Sequence, residues 1–211
     1  MNTDNTACSP QAQIDARARI GMWVFLGSEI MFFGPIFFSY MYGRYEWPQA
    51  FEAASRSTDL ACGTFNTAVL LTSSLAVAAA LLYAENGSRV QARRALNAAV
   101  LLGLLFLLVK SYEYLQDWHE HLVPGPSFQM DGAIDLAAAQ LFYFIYFFST
   151  LLHALHLIIG IALVLYCHRY LAHEPGHGAV RRLEITGLYW HFVDMIWIFL
   201  FPALYLAGRA S

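Results

Sequence analysis

Five stretches of this chain are continuously apolar for about the length of a bilayer crossing. They run roughly Ile20–Tyr42, Thr64–Tyr83, Leu96–Leu115, Leu136–Cys167 and Ile185–Leu206. A helix needs about 20 residues to cross ~30 Å of hydrocarbon. Inside a bilayer every backbone N–H and C=O must find a partner within the protein, and a helix supplies its own. The expected fold class is therefore all-α, a polytopic membrane protein of five transmembrane helices. The fourth stretch exceeds the bilayer and is expected to tilt or to project into water. Composition agrees, because 58% of the 211 residues are hydrophobic, 13% are charged and the mean hydropathy is +0.48. A soluble domain carries about 25% charged residues. A formal net charge of −3 gives no reason to expect a nucleic-acid partner.

Between the apolar stretches, residues 43–63, 84–95, 116–135 and 168–184 concentrate Pro, Gly and charge and read as loops. Residues 1–16, "MNTDNTACSPQAQIDA", read as a disordered polar tail ahead of one domain over residues 17–211. Cys8, Cys62 and Cys167 are isolated from one another and offer neither a disulfide framework nor a covalent haem site. No lipobox-like apolar run precedes Cys8. Five crossings put the N-terminus and the second and fourth loops on one side. That side holds Arg17, Arg19, Arg89, Arg93, Arg94, Arg169, Arg181 and Arg182, against Arg44, Arg56 and Arg209 on the other. The positive-inside rule then predicts a cytoplasmic N-terminus and an external C-terminus.

Ionisable groups inside the apolar stretches are the candidates for function. Glu29 lies nine residues into the first span, ~13 Å deep at ~1.5 Å per residue. A lone carboxylate at mid-membrane costs about 2.5–3.5 kcal/mol, so it must be neutral, paired or hydrated. It reads either as a proton-active acid or as a carboxyl bonded to a neighbouring helix. Lys110 and Glu113 share a face of the third span and are expected to form an interfacial ion pair, with Lys110 reaching outward to water. Tyr112, Tyr114 and Trp118 suit an aromatic belt there. His153 and His156 also stand three apart on one helix, a spacing seen in metal sites, but no further ligands complete a set. Haem ligation by His153 and His191 is an alternative, with neutral histidines bonding across helices as the simpler reading. His191 and Asp194, inside "GLYWHFVDMIWIFLFPALYLAG", are expected to satisfy each other. Trp190 and Trp197 flank Asp194 on one stripe and read as a helix-contact face. The small residues of "FNTAVLLTSSLAVAAALL" predict a centrally packed second span.

Several of these stretches resemble one family in its own order. "GLYWHFVDMIWIFLFPALYL" resembles the terminal helix of subunit III of the haem–copper terminal oxidases, whose hallmark is a YWHFVD-x-x-W run. "FLGSEIMFFG" resembles that family's helix with its intramembrane glutamate, and "FNTAVLLTSS", "YEYLQDWHEHLVPG" and "HALHLIIG" are similar to its other spans. The resemblance covers Arg19 to Gly208 and implies the five-helix form, which lacks the first two helices of the seven-helix form. It implies a non-catalytic subunit with no catalytic residue, metal or cofactor of its own. Haem and copper would sit in partner subunits I and II, with phospholipid held in a cleft between helix groups. It further implies a part in oxygen reduction and proton uptake, in a bacterial cytoplasmic membrane. Glu29 is then the intramembrane acid, and Glu113, His153, His156, Glu184, Trp190, His191, Asp194 and Trp197 are helix-contact or lipid-cleft polar residues. "SEIMFF" and "EHLVPG" look closer to the cytochrome c oxidase branch than to quinol oxidases or relatives associated with nitric oxide reductases. Two other classes stand against this reading. A stand-alone haem b carrier would need His153 or His191 as ligand, and a proton-linked transporter would use Glu29 as coupling acid.

Overall fold

A computed structural model of the chain describes residues 10–126, 128–130, 135–173 and 177–209. Its elements in chain order are α1 (Pro10–Glu46), α2 (Pro48–Ser57), α3 (Leu60–Glu85), α4 (Arg89–His119), α5 (Leu136–His173), α6 (His177–Phe201) and a π-helical turn (Pro202–Leu206). All but α2 and the terminal turn are long and apolar enough to cross a membrane. The helices overrun the expected spans. α5 has 38 residues, about 57 Å at 1.5 Å each, so it outreaches the hydrocarbon as its length required. α1 begins at Pro10, inside the stretch expected as a tail, with proline at a position that needs no amide donor. Residues 1–9, with Cys8, lie outside the described residues. α1 also runs on through Pro35, consistent with the tolerance of membrane helices for proline.

The helix ends are specified locally. Asp59 caps α3, its Oδ1 accepting from the amides of Ala61 at 2.8 Å and Cys62 at 3.2 Å. Partial burial pushes this carboxyl's pKa up, but the hydrogen bonds from Cys62 and Ala61 and the charge of Arg209 hold it below the usual carboxylate range. Asp135 caps α5 through Ala137 and Ala138 in the same way. Between α3 and α4 the chain reverses at Gly87 with φ of 75°. There the Ser88 amide bonds Tyr83 O and the Gly87 amide bonds Ala84 O, which closes the last carbonyls of α3. α4 ends on the same pattern with His121 at φ 58°, the amide of the buried Leu122 bonding Asp117 O.

Packing ranks the helices differently from the small-residue argument. In α6, 56% of the span is buried, against 33% of α3 and 11% of α1. α6 is therefore the axis of the bundle, with α3 and α5 against it and α4 closing the far side. α1 lies at the edge, touching α5, α6 and α2. Gly103 and Gly160 admit Trp190, whose ring atoms stand 3.2 Å from where a Cβ would be at either position. The large Trp190 ring thus reaches from α6 to both α4 and α5.

The stretch 43–63, expected as a loop, contains α2. Its Ala50, Phe51, Ala54 and Ser55 are buried while the rest meets solvent or lipid, an amphipathic pattern within only 10 residues. α2 covers one end of the bundle and grips the terminal turn. Ser55 Oγ donates to Leu204 O at 2.9 Å and accepts from the Gly208 amide at 3.2 Å. Arg44 and Arg56 donate to the carbonyls of Ala207 and Gly208, and Tyr40 OH to that of Ala203. A Cβ on Gly208 would collide with the backbone oxygen of Glu52. Gly208→Ala is expected to push α2 off the bundle end and to cost about 1–3 kcal/mol. Thermal unfolding in detergent should show a lower midpoint than a Gly21→Ala control, whose Cβ meets open space.

Candidate functional site: a polar seam in an apolar bundle

Glu29 of α1 meets His156 of α5, Oε2 to Nε2 at 3.1 Å. His156 Nδ1 lies 2.8 Å from Leu152 O. A carbonyl only accepts, so Nδ1 carries a proton. Nε2 then either accepts from a protonated Glu29 or, protonated itself, donates to a carboxylate. One proton shared across 3.1 Å leaves the pair neutral overall in both cases, which removes the lone-charge penalty of mid-membrane burial. The Phe33 ring lies 5.6 Å from the imidazole, and Tyr189 OH donates to His156 O at 3.1 Å. Gly27 and Ser28, the small residues beside Glu29 that would leave room for a neighbouring helix, stand away from this contact. Gly27 faces open space and Ser28 is exposed, its hydroxyl turned to Phe25 O. The reach of the His156 side chain makes the contact instead.

Lys110 does not reach water. It is 2% exposed, as is Glu113, with Nζ and Oε2 3.1 Å apart. Nζ donates to Tyr146 OH at 2.8 Å and Tyr205 OH at 2.6 Å, and both phenols donate to Glu113 Oε1 at 2.6 Å. The rings of Tyr146, Tyr205, Tyr114 and Trp197 surround the ammonium at 4.4–5.9 Å from their centroids. The expected interfacial pair is a core network because α5 and the terminal turn bring Tyr146 and Tyr205 over it. Asp117, one turn further along α4, is buried as well. Only Tyr112 and Trp118 remain as an exposed aromatic fringe.

His153 and His156 separate. A three-residue offset turns a side chain by 60° around the helix, enough to place His156 toward α1 and His153 in the interior. The His153 ring packs 5.4 Å from Phe106 and 5.0 Å from Trp197, and neither nitrogen has a hydrogen-bond partner. Among the described residues no group of three or more His, Cys, Asp and Glu side chains is placed to hold a metal ion.

His191 and Asp194 do not bond each other. His191 Nδ1 is 2.6 Å from Ser74 Oγ on α3, and both Asp194 oxygens are buried without a hydrogen bond. The neighbouring ring donors also turn to α3, Trp190 to Ser73 at 3.2 Å and Trp197 to Thr67 at 3.0 Å. Ser73 and Thr67 of α3 thus accept hydrogen bonds from α6 and Ser74 bonds its imidazole, a role beyond admitting close packing. Glu184, near the start of α6, is partly exposed and forms no hydrogen bond or ion pair with the described residues. One turn from the Glu29–His156 contact, α1 and α6 diverge around an apolar groove of about 340 Å³. Ile30, Phe33, Phe37, Phe192, Met195 and Phe199 line it, with no polar surface. Such a groove accepts an acyl chain or a ring and nothing charged.

A buried lysine–glutamate pair, an intramembrane carboxyl on histidine and a tryptophan-lined terminal helix give a structural polar seam without a metal-ligand set. The family model for cytochrome c oxidase subunit III matches residues 5–209. The chain belongs to the cytochrome c oxidase subunit III family. It is 30% identical to cytochrome c oxidase subunit 3 of Papio hamadryas, over 90% of this chain and 69% of that protein. Similarity to subunit 3 of Gallus gallus is 31% over the same shares. A third relative, from Aeropyrum pernix, is a heme-copper oxidase subunit I+III, 27% identical over 90% of this chain but only 23% of its own length. The chain therefore spans about two thirds of the animal relatives and under a quarter of the archaeal one. Membership in this family gives the chain a place in the respiratory chain, in a membrane oxidase complex.

The sequence pointed to most of the acids and histidines and to the Lys110–Glu113 pair, but not to the pairings across helices. Tyr146 and Tyr205, which complete the Lys110 network, were missed. A lysine within hydrophobic sequence was the available signal, because a buried ammonium requires acceptors from neighbouring helices.

Proposed function

We propose that this chain is the non-catalytic subunit III of a haem–copper respiratory oxidase of the cytochrome c oxidase type. It packs against the subunit that carries haem and copper, prolongs the working life of that subunit and supports its proton uptake and oxygen reduction. The observation that carries this reading is the archaeal relative named subunit I+III. Its name describes a subunit III portion and a subunit I portion in one protein, as expected of partners that stand side by side. The apolar groove between α1 and α6 is assigned to phospholipid acyl chains, supported by its wholly apolar lining. The N-terminus is assigned to the cytoplasm and the membrane to the bacterial inner membrane, on the arginine asymmetry and the family resemblance.

Purification through a tag on this chain tests the proposal. Stoichiometric recovery of a haem-bearing subunit with oxidase activity is expected. Recovery of the chain alone, with a Soret band of its own that is lost on His153→Ala or His191→Ala, would instead make it an electron carrier. Cysteines introduced at Arg93 and Arg209 should label from opposite sides of the membrane, the first from the cytoplasm.

A further inference from the structure

We propose that the α4–α5 edge, at the bundle end carrying residues 85–89, binds the phosphodiester headgroup of one phospholipid, on Arg93, His168 and Asn97. The proposal extends the lipid reading above to a second place and rests on the chain standing in a bilayer.

Three observations meet there. Arg93 Nε donates to His168 Nε2 at 3.3 Å, so one edge of the guanidinium is held while its two NH2 groups stay available. No acidic group forms an ion pair with Arg93 or Arg89 among the described residues. The first turn of α4 contains no acid, and Arg89, Arg93 and Arg94 crowd this end. A helix N-terminus carries about half a positive charge, which disfavours cations, so an anion is the missing complement. Asn97, one turn deeper on the same side as Arg93, is exposed at ~6 Å further into the membrane. A carboxamide facing hydrocarbon is unfavourable unless it is bonded, and the ester carbonyls of a glycerolipid lie below its phosphate at about this depth. Leu101 and Leu165 are exposed alongside at greater depth and offer the acyl chains an apolar wall.

Orientation by the positive-inside rule explains why this end is basic. It does not explain why a guanidinium is pinned against an imidazole, or why an amide faces lipid one turn below. A planar guanidinium with two free NH2 groups matches the paired oxygens of a phosphodiester. Inorganic phosphate offers the same oxygens, but it lacks the esters for Asn97 and the chains for the apolar wall. A lipid is therefore the occupant.

The test is native mass spectrometry of the purified protein, delipidated and then titrated with phosphatidylglycerol. Wild type is expected to retain one phospholipid more tightly than Arg93→Gln or Asn97→Leu, by about tenfold, or ~1.4 kcal/mol. Arg89→Gln removes the same charge one turn further out and should leave retention unchanged. Equal losses in Arg89→Gln and Arg93→Gln would replace the site with a diffuse surface potential and overturn the proposal. So would no loss in either, or displacement of the lipid by excess inorganic phosphate. Co-purification of the haem-bearing subunit with Arg93→Gln is expected to persist. A failure of lipid retention is thereby separable from a failure of the subunit assignment.

Discussion

Replacing Lys110 with methionine is expected to destabilise the bundle by about 3–5 kcal/mol, the usual result of stranding one member of a buried ion pair. Glu113 would keep its two tyrosine donors but lose the only cation within 4 Å among the described residues. Glu113→Leu should cost a similar amount, since the ammonium would be left with phenol oxygens and ring faces alone. The double variant Lys110→Met/Glu113→Leu removes both charges and should recover most of the loss, because a well-packed apolar pair can replace a buried ion pair at little cost. Tyr205→Phe, with one bond lost to each partner, is expected to fall between wild type and the single variants. Detergent unfolding midpoints measure all four. Additive losses in the double variant would mean that the two side chains act independently, and the network described here would not be the source of their stability.

Glu29→Ala is expected to loosen α1 from the bundle, because it leaves His156 Nε2 buried without its partner, at about 1–3 kcal/mol. Only 11% of the α1 span is buried, and its other polar anchors, Tyr40 and Arg44, hold the far end of the helix to the terminal turn. Glu29→Gln restores a neutral hydrogen-bonding group and should keep assembly and most oxygen-reducing turnover. His156→Ala should resemble Glu29→Ala, and combining them should add little, since the second change removes a group already orphaned. Co-purification yield, turnover lifetime and proton release by the reconstituted complex are the readouts. Abolished proton release with continuing turnover in Glu29→Gln would make this acid a relay, and the scaffold role proposed for the subunit would be wrong.

Both predictions rest on contacts made across helices, Lys110 and Glu113 through Tyr146 and Tyr205 and Glu29 through His156, and there sequence and structure part company. The five crossings, the order of the helices and their family were determined by the sequence alone. Bilayer thickness sets the length of an apolar run, the backbone must satisfy itself within it, and "YWHFVD" followed by Trp197 is a specific run. Spacing along one helix also located the acids and histidines that needed partners. It could not name those partners. Lys110 and Glu113 were correctly paired because they lie on one helix, yet their burial depended on Tyr146 of α5 and Tyr205 of the terminal turn closing over them. His191 and Asp194 had equally good local spacing, but Ser74 on α3 took the imidazole. His156 reached Glu29 across 127 positions of chain. Local periodicity reports which way a side chain faces, whereas a charge inside a membrane is neutralised by whatever lies closest in space. Only the tertiary structure decides what that is.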